Sequence, residues 1–142
     1  MLDLTLAQNE LAEGGYSYVL VKDEKVISTS CDKGIQPLMD ILLDEEKQMQ
    51  GSTLADKVIG KAAAFLCILG EVKQVYAQVI GDCAKDVLEH HGIEVEYNRI
   101  VPYIMNRDGT DKCPLEKLVD HVEDPREAYE AIRDFMTKSV GA

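Results

Sequence analysis

Tryptophan is missing from this chain of 142 residues, and aromatic residues make up only 6% of it, so any core must be aliphatic. No apolar run reaches the roughly 18 residues that a membrane-crossing helix needs. The opening residues, MLDLTLAQNELAEGG, have neither the basic start nor the apolar stretch of a signal peptide, which points to the cytoplasm. Basic residues are scarce: 15 Lys and Arg stand against 26 Asp and Glu, a formal charge of −11. Such a field repels phosphate backbones, so a nucleic-acid polymer is excluded as a partner. A small anion is not excluded, because local donors outweigh a distant net charge. The four cysteines, Cys31, Cys67, Cys83 and Cys113, include no C-x-x-C pair. Their spacing fits neither a structural zinc site nor a secreted disulfide framework, and a reducing compartment is the simpler setting.

Low-complexity tracts, repeats and linkers are absent too, and residues 1–142 read as one domain. With 46% hydrophobic residues the chain has enough apolar surface for a real core. Leu2 to Ala12 has helical apolar spacing, stopped by Gly14-Gly15. Tyr16 to Val21 and Lys25 to Ser30 are β-rich and read as an antiparallel hairpin. Ile35 to Gln50 reads as a helix with Pro37 in its first turn.

The stretch GSTLADKVIGKAAAFL, Gly51 to Leu66, carries the most chemical information. Thr53 reads as a helix N-cap and Asp56, three residues on, as its capping-box acid. Ala55, Val58, Ile59, Ala62 and Leu66 then form an apolar stripe ending at Gly70. Gly60-Lys61 is not a phosphate loop: Ala55 and Ala62 stand where a Walker A motif needs Gly and Ser or Thr. Beyond it the pattern turns α/β. QVYAQVI is a strand, GDCAKDVLEHHG a helix with Asp82 at its start and Gly92 at its end, and IEVEYN a strand. IVPYIM adds a further strand, at an edge because of Pro102. NRDGTDKCP is a loop, and Pro114 to Glu123 and Pro125 to Ser139 are helices. About five strands and five or six helices, with a hairpin feeding a parallel crossover, predict an α/β helix–sheet–helix sandwich.

With that order of elements, the chain resembles the cytidine deaminase-like superfamily. In working deaminases one helix opens with His-Ala-Glu or Cys-Ala-Glu and the next with Pro-Cys-x-x-Cys, which together bind zinc and shuttle protons. Leu54-Ala55-Asp56 looks like the first motif and Asp82-Cys83-Ala84-Lys85-Asp86 like the second. Leu54 has no donor atom and Asp86 stands where the second thiolate belongs, so the three-ligand catalytic set is broken. Neither a metal nor another cofactor is expected, nor cytidine deamination. With STLADKVIGKAAA and NRDGTDKCPLE, the chain looks like an uncharacterised bacterial and archaeal branch of that superfamily, a domain of unknown function. The resemblance implies a mixed five-stranded sheet between helices.

Candidate site residues follow from two helix starts, at Ser52-Thr53 and Asp82-Cys83, which the resemblance brings to one cleft. Helix N-termini offer unpaired amides to anions. Lys57, set against the helix dipole, would be relieved by a bound anion. The expected ligand site comprises Ser52, Thr53, Lys57, Gly81, Asp82, Asn106 and Arg107, the last two from the loop. Asp56 and Cys83 are the candidate catalytic groups, Cys83 because a first-turn thiol is favoured as thiolate. The plainer readings are a capping acid for Asp56, a small buried side chain for Cys83 and a solvated face for Lys57 and Lys61. His90, His91 and His121 read as structural or exposed. Three functions remain open: a zinc-less pocket for a small nucleotide-derived anion, an enzyme with Cys83 as nucleophile, or a non-catalytic interaction module. A homo-oligomer is compatible with each.

Overall fold

The computed structural model describes residues 2–32, 34–44, 46–106 and 108–141. Helix α1 (Leu2–Gly14) leads into a hairpin of β1 (Tyr18–Lys22) and β2 (Lys25–Ser30). Asp23 and Glu24 turn the hairpin with φ of 52° and 65°, the doubly left-handed geometry that matches strand twist. Next come α2 (Gln36–Leu42), β3 (Thr53–Ile59), α3 (Lys61–Leu69), β4 (Gln74–Gly81), α4 (Asp82–His90) and β5 (Glu94–Val101). Two helices close the chain, α5 (Pro114–Leu118) and α6 (Pro125–Gly141). The sheet runs β2-β1-β3-β4-β5. β1 is antiparallel to both β2 and β3, while β3, β4 and β5 are parallel. This is the mixed five-stranded α/β sandwich the sequence implied.

One face of the sheet is covered by α1, whose Ala7 and Leu11 pack on Val19, Val21 and Ala55. The other face carries the larger core, where α2, α3, α4 and α6 meet Leu20, Leu54, Val75, Ala77 and Ile80. Ala62 to Cys67 are all buried, so α3 has no solvent face. A helix apolar on every side belongs in the interior, and the run of alanines lets it approach the sheet closely.

Several elements differ from expectation. The helix expected over Ile35 to Gln50 ends at Leu42. The chain then closes successive turns, with the Lys47 amide donating to the Asp44 carbonyl and the Gln50 amide to the Lys47 carbonyl. Thr53 does not cap a helix. Thr53 to Ile59 is a central strand, and the helix begins only after Gly60. Leu54 and Ile59 both join the larger core although they lie an odd number of residues apart, so the strand's alternation slips once near Asp56. That slip imitates helical spacing, and a short apolar run carries no other signal to separate the two. IVPYIM is no strand of its own: Ile100 and Val101 extend β5 and Pro102 ends it, while Met105 makes an isolated bridge to Lys112. The expected strand count survives because one strand was overlooked and one counted twice.

Candidate functional site

β1 runs antiparallel to β3 and β4 runs parallel to it, so the C-terminal end of β3, where the chain turns into α3, lies beside the start of β1 and the end of β2. Crevices outside the carboxyl ends of parallel strands are where ligands bind in open α/β sheets. A cavity of about 440 Å³ opens there, beside the start of α3. Its apolar wall includes Ile35, Leu38, Ala62, Ala63, Ile104 and Leu115. Its polar groups are Ser17, Tyr18, Asp32, Asp56, Lys57, Cys113 and Glu116. The Ser17 hydroxyl donates to the Ser30 and Asp32 carbonyls at 2.8 and 2.6 Å, which ties the hairpin's end to the cavity rim.

Asp56 lies on β3, opposite Tyr18 of β1 and Ala77 of β4. Its Oδ1 accepts the Val58 amide at 3.2 Å, a local turn contact and not a capping box. Burial raises its carboxyl from 3.8 to about 7, against two backbone hydrogen bonds that lower it. Asp56 therefore holds its proton through mildly acidic pH. Beneath it, burial and then the Asp56 charge push the Cys67 thiol far up, leaving a neutral core side chain. Lys57 is exposed at the cavity's edge.

Glu116 is the feature that sequence reasoning missed. It is only 8% exposed. Its Oε1 accepts the Lys61 amide at 2.7 Å, and its Oε2 accepts the Ile104 amide at 3.4 Å. A carboxylate from α5 thus occupies the N-terminus of α3, the place where helix amides and dipole favour negative charge. A Cβ on Gly60 would lie 2.5 Å from Oε1, so glycine leaves the room that the carboxylate fills. The position of Glu116 just after a proline and a loop gave no signal for this contact across 55 residues of chain. Lys61 is held away from the cavity, its Nζ donating to the Asp120 carbonyl at 3.0 Å and standing over the Phe65 ring.

Of the expected site residues that are described, Asp56 and Lys57 line the cavity, and Ser52, Thr53, Gly81, Asp82, Cys83 and Asn106 do not. Ser52 and Thr53 are buried at the opposite end of the central strand, where β3 begins. The Ser52 hydroxyl donates to the Met49 carbonyl, and Thr53 Oγ1 accepts from Gln74 Nε2 at 2.8 Å. The expected convergence of two helix starts is therefore corrected: Asp82 and Cys83 open a helix, and Ser52-Thr53 opens the central strand at its end away from the cavity. Gly81 is buried, with its Cα side facing Glu116 Oε2, and it precedes α4 without a side-chain cap. Asp82 and Cys83 are exposed on α4 outside the cavity. Asn106 is spent within its own loop, exchanging hydrogen bonds with Thr110. Arg107 lies outside the described residues. His121 is almost fully exposed, as expected.

No three His, Cys, Asp or Glu side chains among the described residues converge to hold a metal ion.

Residues 6–136 match the model of the TM1506 family, a domain of unknown function (DUF1893), and the chain belongs to that family. It is similar to the crystal structure of a DUF1893 family protein (TM1506) from Thermotoga maritima, at 26% identity and a TM-score of 0.85. That match covers 92% of this chain and 87% of the other. A second likeness is to a diaminohydroxyphosphoribosylaminopyrimidine deaminase/5-amino-6-(5-phosphoribosylamino)uracil reductase from Thermotoga maritima. There the identity is 18% and the TM-score 0.49, over 68% of this chain and 36% of that one. No curated relative matches the chain.

Proposed function

We propose that this chain binds a small nucleotide-derived molecule in the cavity between β1, β3 and α3, without zinc. The carrying observation is Asp56, a titratable carboxyl raised to about 7 inside a largely apolar cavity. The volume falls in the range of small-molecule sites, roughly 300–1,000 Å³. Protonated, Asp56 offers a donor and an acceptor side by side; ionised, it accepts from an amino group. Both suit the edge of a heterocyclic base. Glu116 already fills the helix start, so a phosphate is directed outward to Lys57 at the rim. This revises the anion site expected from the sequence: the base, not the phosphate, occupies the interior. With a charge of −11, a small ligand suits the surface better than a polynucleotide.

The arrangement of a hairpin feeding parallel strands supports our reading of the fold as a zinc-less relative of the deaminases, with residues 1–142 as one domain. No helix among the described residues is long and apolar enough to cross a membrane. A second reading, proton transfer to or from the bound molecule, is favoured by the same Asp56, since a group poised near neutral pH suits acid–base work. Cys83, exposed and outside the cavity, lends the nucleophile reading no support.

Thermal shift and calorimetry with nucleosides and with their mono- and diphosphates test the proposal. A ligand at about 100 times its dissociation constant stabilises the fold by about 2.7 kcal/mol. Lys57→Ala is expected to weaken the phosphorylated ligand and spare the nucleoside, whereas Asp56→Ala weakens both. If no compound shifts the transition at millimolar concentration, the cavity is not a nucleotide site.

A further inference from the structure

The two edges of the sheet are unlike. At the β2 edge the pairing with β1 is interrupted by a register shift between Leu20 and Val21, a device that twists an edge away from partners. The β5 edge keeps a single register with β4, with one lapse in pairing at Gln78 and Asn98. β5 is eight residues long, six of them exposed, and among the described residues no strand pairs with its outer side. Its backbone donors and acceptors on that side are a template for another strand. Gly and Pro are absent from Glu94–Val101, and Val95, Tyr97, Ile100 and Val101 are strong strand formers. Tyr97 and Ile100 are each 39% exposed, large apolar side chains left without cover.

The charges on β5 select the partner. Glu94 and Glu96 occupy its first half and Arg99 its second. In an antiparallel pair of two such strands, the acidic half of each runs beside the Arg99 half of the other. In a parallel pair, like halves would coincide. Charges that blunt an edge work by repulsion, and repulsion needs one sign; these are self-complementary.

We infer that β5 is a homodimer interface, in which a second copy of this chain adds its own β5 antiparallel across a two-fold axis normal to the sheet. The contact is isologous, with the same strand on both sides, and extends the two sheets into one. The net charge of −11 on each copy opposes association, but at physiological salt it is screened beyond about 8 Å, whereas strand pairing brings the complementary charges within that distance. The ligand cavity, at the β1–β3 side of the sheet, is separate from β5. Loss of the dimer and loss of ligand binding are therefore distinguishable.

Light scattering coupled to size-exclusion chromatography, with native mass spectrometry, tests the inference on the full chain. The wild-type protein is expected to be dimeric at micromolar concentration, with β5 amides gaining protection from hydrogen exchange as concentration rises. Arg99→Glu makes both halves acidic and is expected to weaken the dimer at least tenfold, a change of about 1.4 kcal/mol. The triple exchange Glu94→Arg, Glu96→Arg, Arg99→Glu restores complementarity and with it the dimer. All three side chains are exposed, and circular dichroism verifies that each variant is folded. A wild-type monomer throughout the micromolar range overturns the inference. So does a dimer unchanged by both Arg99→Glu and Tyr97→Glu.

Discussion

Asp56 and Glu116 are two carboxyl groups in one cavity with opposite circumstances. Glu116 has two amide donors; Asp56 has the Lys57 and Val58 backbone but pays for its enclosure with a raised pKa of about 7. Glu116, Asp32, Tyr18 and Lys57 line the same cavity as Asp56. In the unfolded chain Asp56 titrates near 3.8, so between there and about 7 the folded state binds the extra proton. Stability contributed by that proton is present below pH 3.8 and is lost as pH rises through about 7. The full shift corresponds to at most about 4 kcal/mol, and solvent at the cavity mouth reduces it. Asp56→Asn is neutral at every pH. It should raise the urea midpoint at pH 8 and lose that advantage by pH 4. A second prediction concerns Gly60. Its Cβ in Gly60→Ala meets Glu116 Oε1 at 2.5 Å and Ile104 Cγ1 at 3.1 Å, and overpacking of this kind costs about 1–3 kcal/mol. Glu116→Ala strands two amides at a similar cost. A double-mutant cycle by denaturant unfolding should show strong coupling, Gly60→Ala costing less once Glu116 is gone. Additive losses would mean that the carboxylate does not occupy the helix start.

At the scale of elements, β3 shows where a sequence pattern and a fold part company. Ser-Thr followed by Asp at the third place has the form of a capping box, and Val58, Ile59 and Ala62 continue a helical stripe. The strand wins because β1 and β4 supply ladder partners on both sides, which local sequence does not record. Thr53 and Gln74 open their two strands side by side and share a buried hydrogen bond of 2.8 Å. Thr53→Val should cost about 1–3 kcal/mol by leaving the Gln74 amide unpaired, and Thr53→Val with Gln74→Leu should recover most of that loss. A helix cap would make Gln74 irrelevant, so a double variant as unstable as Thr53→Val alone would argue against the strand. The elements with stronger local punctuation were legible: the hairpin, α4 ended by Gly92 at φ 79°, and the last helix with Pro125 at its start.

At the scale of the whole molecule, composition and order set the class. An aliphatic, acidic chain with a hairpin followed by strand–helix–strand patterning determined an α/β sandwich with a mixed sheet, and the alanine-rich run foretold a helix packed tightly on it. The sequence pointed to Asp56 through the Leu54-Ala55-Asp56 resemblance and to Lys57 through a helix start that the structure replaces with a strand; both nonetheless line the cavity. The tertiary structure decided the rest. It sent Ser52 and Thr53 to the far end of the central strand, since strand direction, not proximity in the chain, determines which ends share a crevice. It set Cys83 on the surface and Cys67 in the core, although both lie in helices, because the neighbours that bury a helix face come from other elements. And it brought Glu116 to the start of α3, a pairing of groups 55 residues apart that exists only once the sheet is assembled. Hydrophobic spacing and turn chemistry act over a few residues and are written in the sequence; burial of a charge and the company it keeps are properties of the folded neighbourhood.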